Sequence, residues 1–176
     1  MKTTNTYPPG VLLNNNLLYV YFGSDIGLKV YDVSDPAKMK ELSTIYPWDG
    51  GALMANGNYL YGITGYYLNT YDISNPAKPQ KINSLRHNGA WNIGGAYGFT
   101  GNAFYKNYLV RNEARGLILW DITDPAKPRE GKLVTLPGGV SGVYFVNDTV
   151  YSAISFKGLY IGNFPNEISA GDNIPS

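Results

Sequence analysis

An all-β fold is what this sequence predicts, and three observations carry it. A turn phrase is written three times: "YDVSDPAKMKE" (31–41), "YDISNPAKPQK" (71–81) and "WDITDPAKPRE" (120–130). An apolar stretch recurs four times, as "GLKVYD" (27–32), "YLNTYD" (67–72), "GLILWD" (116–121) and a decayed "GLYIGN" (158–163). The composition, with 16 tyrosines, 21 glycines and 15% charged residues, favours strands joined by tight turns over helical bundles.

The spacing turns this class into an architecture. Leu28, Leu68, Leu117 and Leu159 fall 40, 49 and 42 residues apart, near the length of a four-stranded propeller blade, whereas helical repeats of this period need long 3.6-residue patterns that are absent here. The expectation is a β-propeller of four four-stranded blades in one domain over 1–164, with blades at about 8–46, 47–86, 87–136 and 137–164. Residues 165–176 read as a polar C-terminal tail. The last blade is expected to be completed by the N-terminal strand at 1–7, because "MKTTNTYP" resembles the fourth-strand stretch "MKELSTIYP" (39–47) and closure through the termini removes free edges.

Blade 2 shows the plan strand by strand. "GALMAN" (51–56), "YLYGIT" (59–64), "YLNTYDI" (67–73) and "QKINSL" (80–85) read as its four strands, with "NGN" (56–58) as the first hairpin turn. The other units repeat it: "YVYFG", "YLVRN" and "VYSAIS" stand before the third strands, and "NNN", "KN" and "ND" fill the first turn. The repeated phrase is then the turn from third to fourth strand. Asp or Asn suits its first corner, proline presets the next φ near about −65°, and the preceding Ser or Thr can bond free backbone amides. Asp32, Pro36, Asp72, Pro76, Asp121 and Pro125 are therefore assigned to structural turns. The three aspartates invite a calcium reading, but an oxygen cage needs about six to eight converging ligands and this spacing supplies too few.

Leucine, alternating apolar positions, aspartate and then x-Ser-Asp/Asn-Pro-x-x-Pro resemble the LVIVD-repeat family, at Leu28–Pro36, Leu68–Pro79 and Leu117–Pro128. The fourth copy, Leu159–Pro165, lacks the aspartate and the full proline phrase. The resemblance implies a β-propeller in a bacterial or archaeal protein that is secreted or surface-attached, with no generally assigned reaction, and so an extracellular or cell-surface location.

Several function classes are excluded. Fourteen basic against 13 acidic side chains, with no long run of either sign, give no footprint for nucleic acid or an anionic membrane. No stretch approaches the roughly 20 apolar residues of a membrane-inserting helix, and "KTTNTYPPG" after Met1 lacks the apolar core of a secretory signal. Without cysteine, and with His87 as the single histidine, no disulfide, thiolate or His-cluster metal site is expected. No glycine-rich phosphate loop, nucleophile elbow or HExxH motif is present, so no cofactor is expected.

Candidate binding residues gather on loops that would share the channel-mouth face: "PWDGG" (47–51), "RHNGAWNIGG" (86–95), "LPGGVSG" (136–142), "GSDIG" (23–27), "TGYY" (64–67), "NEARG" (112–116) and "SFKG" (155–158). Trp48 and Trp91 open equivalent loops and are expected as stacking surfaces for a sugar or an aromatic partner residue, with packing filler as the competing reading. Trp120 lies within a strand and reads as core. Asp49, His87, Asn92, Tyr66, Glu113 and Arg115 complete the candidate set, and a guanidinium from Arg111 or Arg115 would suit a carboxylate ligand.

The reading is a non-catalytic recognition module, monomer or homodimer, that binds a protein or glycan at this face. Two alternatives stay open: a ligand-binding or hydrolytic propeller using channel carboxylates and His87, and a structural portion of a larger propeller or assembly.

Overall fold

The computed structural model describes residues 10–64, 67–86, 101–113, 115–131 and 133–164. Among the described residues fifteen strands are laid down in chain order. Blade 1 holds β1 (Val11–Asn14), β2 (Leu17–Tyr21), β3 (Leu28–Asp32) and β4 (Lys40–Ile45). Blade 2 holds β5 (Ala52–Asn56), β6 (Tyr59–Ile63), β7 (Tyr67–Asp72) and β8 (Gln80–Arg86). Blade 3 holds β9 (Ala103–Tyr105), β10 (Tyr108–Glu113), β11 (Gly116–Asp121) and β12 (Leu133–Thr135), and blade 4 holds β13 (Val140–Val146), β14 (Thr149–Ile154) and β15 (Gly158–Asn163). Each blade is an antiparallel meander of sequential neighbours, four-stranded in blades 1 to 3 and three-stranded in blade 4 among the described residues. Residues 1–7, expected as its fourth strand, lie outside the described residues.

Turn chemistry explains the meander. The first hairpin turn of every blade passes through a left-handed residue: Asn15 at φ 54°, Gly57 at 56°, Lys106 at 50° and Asn147 at 53°. Asn and Gly occupy that region readily; Lys106 is the exception. One backbone bond then recurs in all four blades, from the residue after the third strand to a carbonyl of this turn: Val33 N to Asn16 O at 2.8 Å, Ile73 N to Asn58 O at 2.8 Å, Ile122 N to Asn107 O at 2.7 Å and Phe164 N to Asp148 O at 2.6 Å. The decayed fourth copy thus keeps the blade geometry after losing its aspartate.

The repeated phrase is a double Asx turn. Asp32, Asp72 and Asp121 accept from the amides of Ser34, Ser74 and Thr123 at 2.9, 2.8 and 2.8 Å. Asp35, Asn75 and Asp124 then accept from Ala37, Ala77 and Ala126 at 3.0, 3.1 and 3.1 Å. The carbonyls of the same three corner residues take the amides of Lys38, Lys78 and Lys127, each at 2.9 Å. Pro36, Pro76 and Pro125 follow the corner, where a missing N–H costs nothing; Pro36 opens a single 3-10 turn, Pro36–Lys38. Contrary to the reading in which Ser or Thr satisfies the amides, the Asp and Asn side chains accept them. Ser34 and Ser74 bond back to the carboxylates and, with the backbone bonds, hold Asp32 and Asp72 below the usual carboxylate range.

The third strands of blades 2 and 3 are deeply buried. Leu117, Ile118, Leu119 and Trp120 are each at most 3% exposed, and Leu68 to Tyr71 at most 2%. This is why the signature is a near-continuous apolar run. Gly27 and Gly116, which precede it, sit at φ 90° and 149°, and a Cβ at either would collide with the fourth-strand backbone at Ile45 or Val134.

The chain divides into two compact units, 1–88 and 89–176. In the first, blades 1 and 2 share a core of Tyr19, Leu28, Val30, Ile45, Trp48, Leu60, Tyr71 and Ile73. In the second, blades 3 and 4 share one built around Tyr105, Val110, Leu117, Leu119, Val134, Val150 and Phe164.

Candidate functional site

The β4–β5 connection lies at the end of blades 1 and 2 opposite the proline turns, and it shapes the candidate surface of the first unit. Trp48, expected as an exposed stacking surface, is instead 5% exposed. Its indole fills a socket between the backbones of Gly50 and Gly62, where a Cβ at either glycine would overlap the ring, and it packs against Tyr71 with centroids 5.1 Å apart. The competing reading, packing filler, is the one the geometry supports. Trp120 is fully buried.

Anchoring Trp48 inward turns Asp49 outward. Its carboxylate, half exposed, accepts from the Tyr71 hydroxyl at 2.7 Å and pairs with Lys81 Nζ at 2.6 Å. Its carbonyl takes Asn69 Nδ2 at 3.1 Å, while Asn69 Oδ1 takes the Ser84 hydroxyl at 2.6 Å. Asn69 is 1% exposed within the buried β7, and these two bonds satisfy it while fixing the loop to the sheet.

Electrostatics set the protonation states. Partial burial pushes the Asp49 pKa up, but the bonds from Lys81 and Tyr71 outweigh it and hold the carboxyl below the usual range. Burial, then the bond to Asp49, pushes the Tyr71 phenol far above its ordinary value. At neutral pH the group is thus a fixed carboxylate held by the protonated Tyr71 phenol and the Lys81 ion pair. It can accept hydrogen bonds at its exposed edge, but neither Asp49 nor Tyr71 is poised for proton transfer near neutrality.

Exposed aromatics that sequence reasoning missed lie at the same end of the blades. Tyr46, joined to Pro47 by a cis peptide, is 65% exposed and lies over Gly27; Tyr67, at the start of β7, is 41% exposed. Phe22 and Ile26, at 37% and 43%, occupy the β2–β3 loop. The missed signal was Tyr46, before the β4–β5 loop, rather than the tryptophan inside it.

His87, Trp91, Asn92 and Tyr66 lie outside the described residues, as does the Glu113 side chain. Arg115 is exposed and its carbonyl receives the Leu136 amide at 2.9 Å. Arg111, whose guanidinium was expected to suit a carboxylate ligand, is 8% exposed. Among the described residues no three His, Cys, Asp or Glu side chains converge on a common point.

Solved structures share this fold. The computationally designed Ika4 protein matches at 18% identity and a TM-score of 0.58, over 94% of this chain and 96% of that one. The computationally designed Ika8 protein matches at 19% and 0.57, over 89% and 46%, and Hsv2p of Kluyveromyces lactis at 14% and 0.54, over 89% and 46%. The chain thus spans nearly all of Ika4 and less than half of Ika8 or Hsv2p. The shared class is the β-propeller. Within it, the LVIVD repeat matches residues 13–46 and 50–85, which fall in blades 1 and 2, so these two blades are similar to LVIVD repeats. No curated protein matches the chain.

Proposed function

We propose that this chain is a non-catalytic recognition module of an exported or surface-associated protein, binding a protein or glycan on the loop end of blades 1 and 2. One observation carries the reading: Tyr46, Tyr67, Phe22 and Ile26 stand exposed at the end of the blades where Asp49 holds a fixed negative charge. Aromatic faces supply stacking area at low entropic cost, and a carboxylate with a free edge accepts from sugar hydroxyls or peptide amides. The Tyr71 phenol beside the carboxylate holds its proton at neutral pH, which favours binding over hydrolysis. The exported location rests on the family resemblance alone.

The test is a glycan array and a surface-protein array probed with the parent chain, Tyr46→Ala and Asp49→Asn. A true contact should weaken at least about tenfold when Tyr46 is truncated. Hits that both variants retain at parental strength would place recognition elsewhere and remove this reading.

A further inference from the structure

The outer face of blade 4 is an apolar sheet surface. Register places Tyr144, Tyr151 and Ile161 in one row and Ala153 and Leu159 in the next, with Val146 on the same side. Tyr144 is 68% exposed, Leu159 64%, Ile161 57% and Val146 47%. The remaining residues of this face, Thr149 and Asn163, are uncharged. The opposite face, with Val143, Phe145, Val150, Ile154 and Tyr160, packs into the core shared with blade 3. Exposed apolar surfaces of this kind mark interaction sites.

Blade 1 carries a partly apolar face at the other end of the strand order, with the Lys29–Glu41 ion pair on its β3 and β4 strands. Val11 and Leu13, each 61% exposed, align with Val20 and Leu18 on the side of the sheet away from Leu12, Tyr19 and Val30, which pack toward blade 2. Within each unit one blade meets the next in the same way, β1 against β5 and β9 and β10 against β13. That mode consumes the far face of one blade and the near face of its successor. In each unit it leaves unused the near face of the first blade and the far face of the second, and of these the blade 1 and blade 4 faces carry the exposed apolar side chains.

We propose that the blade 4 face docks onto the blade 1 face of a second copy of this chain, so that two chains join head to tail twice and close as a two-fold dimer. A rotation that closes uses both open faces of each copy and leaves no unpaired end, whereas a single contact would propagate into a filament. Length agrees: Ika8 and Hsv2p share the fold, and this chain covers 46% of each, so two copies supply about what one such chain contains. The edge of β15, unpaired among the described residues, lies beside the same face.

Sedimentation of the full chain over a range of concentrations tests this. The expected result is a reversible species of twice the 19.3 kDa chain mass. Leu159→Glu, Tyr144→Lys and Leu13→Glu should each shift it to the single-chain mass or weaken association at least about tenfold, with circular dichroism unchanged. Phe156→Ser, at the fully exposed β14–β15 loop, should leave it alone. An equimolar mixture of Leu13→Glu and Leu159→Glu should recover dimer, because one of its two joints then pairs two parental faces. A single-chain mass for the parent at every concentration overturns the proposal and points to another segment of the chain covering the face. Dissociation by Leu159→Glu but not by Leu13→Glu overturns the head-to-tail pairing in favour of blade 4 on blade 4.

Discussion

The joint between blades 1 and 2 and the joint between blades 3 and 4 solve one packing problem with different parts. The first drives a single large ring, Trp48, into a glycine socket, and Tyr71 covers it. The second, among the described residues, uses an aromatic trio in place of a glycine socket: Tyr105, Phe145 and Phe164 pack with centroids 4.6, 5.1 and 5.1 Å apart, two of the pairs edge to face. Both joints then fasten a tyrosine hydroxyl to an aspartate that also holds a lysine: Tyr71–Asp49–Lys81 in one, and Tyr105–Asp148–Lys106 at 2.6 and 2.8 Å in the other. The aspartates come from different places in the blade, a β4–β5 loop and a β13–β14 turn. What the repeat preserves is the sheet, and each joint is built afresh from residues that the repeat leaves free.

The largest effect should therefore come from the concentrated joint. Trp48→Ala leaves a ring-sized cavity in a socket whose backbone walls cannot collapse, at a cost of about 3–5 kcal/mol. Trp48→Phe should recover much of this, because the indole Nε1 has no hydrogen-bond partner to lose among the described residues. Phe145→Ala should cost less than Trp48→Ala, since it is only partly buried and two rings of the trio remain. Chemical denaturation of the three variants checks the order, and an equal loss in Trp48→Ala and Phe145→Ala would erase the contrast. Gly62→Ala comes next. Its Cβ would lie 2.8 Å from the Trp48 ring and 3.0 Å from the Gly50 backbone, an overpacking penalty of about 1–3 kcal/mol.

A smaller effect separates the joints at equivalent turn positions. Asn14 and Tyr105 each precede the left-handed residue of a first hairpin turn, yet Asn14 reaches only the Gly57 carbonyl, at 3.3 Å. Tyr105 bonds the Asp148 carboxylate, and Lys106, which pairs with the same carboxylate, lies over its ring at 5.0 Å. Tyr105→Phe should lower the melting temperature by more than Asn14→Ala does. Matching shifts would mean that the Tyr–Asp–Lys group contributes nothing beyond an exposed amide contact.

These joints also mark where the sequence stops being legible. Strands and proline turns follow from neighbours in the chain, so the blade parse of "GALMAN", "YLYGIT" and "QKINSL" falls within a residue of β5, β6 and β8. The Tyr71–Asp49 and Tyr105–Asp148 bonds span 22 and 43 residues and join positions that are not equivalent in the repeat, so no periodicity exposes them. Trp48 looked like a surface residue because it sits on a loop. Its burial depends on Gly62, a strand residue whose missing side chain means nothing until β6 is placed opposite. Of the candidate site, Asp49 is described on the surface together with partners that sequence reasoning did not name.

Acid sensitivity should tie both joints to the same chemistry. In Asp148 the bonds from Lys106 and Tyr105 hold the carboxyl below its usual range, and in Asp49 those from Lys81 and Tyr71 do so against partial burial. A carboxyl whose folded pKa lies below its unfolded value, about 3.9 for aspartate, binds fewer protons when folded. Its stabilisation is complete above the unfolded value and is lost as pH falls through the folded one. The melting temperature should be flat with respect to these groups above about pH 5 and should fall below about pH 4. In an Asp49→Asn, Asp148→Asn double variant that acid slope should be shallower, though still present, because Asp32, Asp72, Asp121 and Glu41 are also held low. Melts at a series of pH values on both chains decide it. A double variant whose slope below pH 4 overlays the parent's would show that the two aspartates fasten neither joint, and that the aromatic packing alone holds blade to blade.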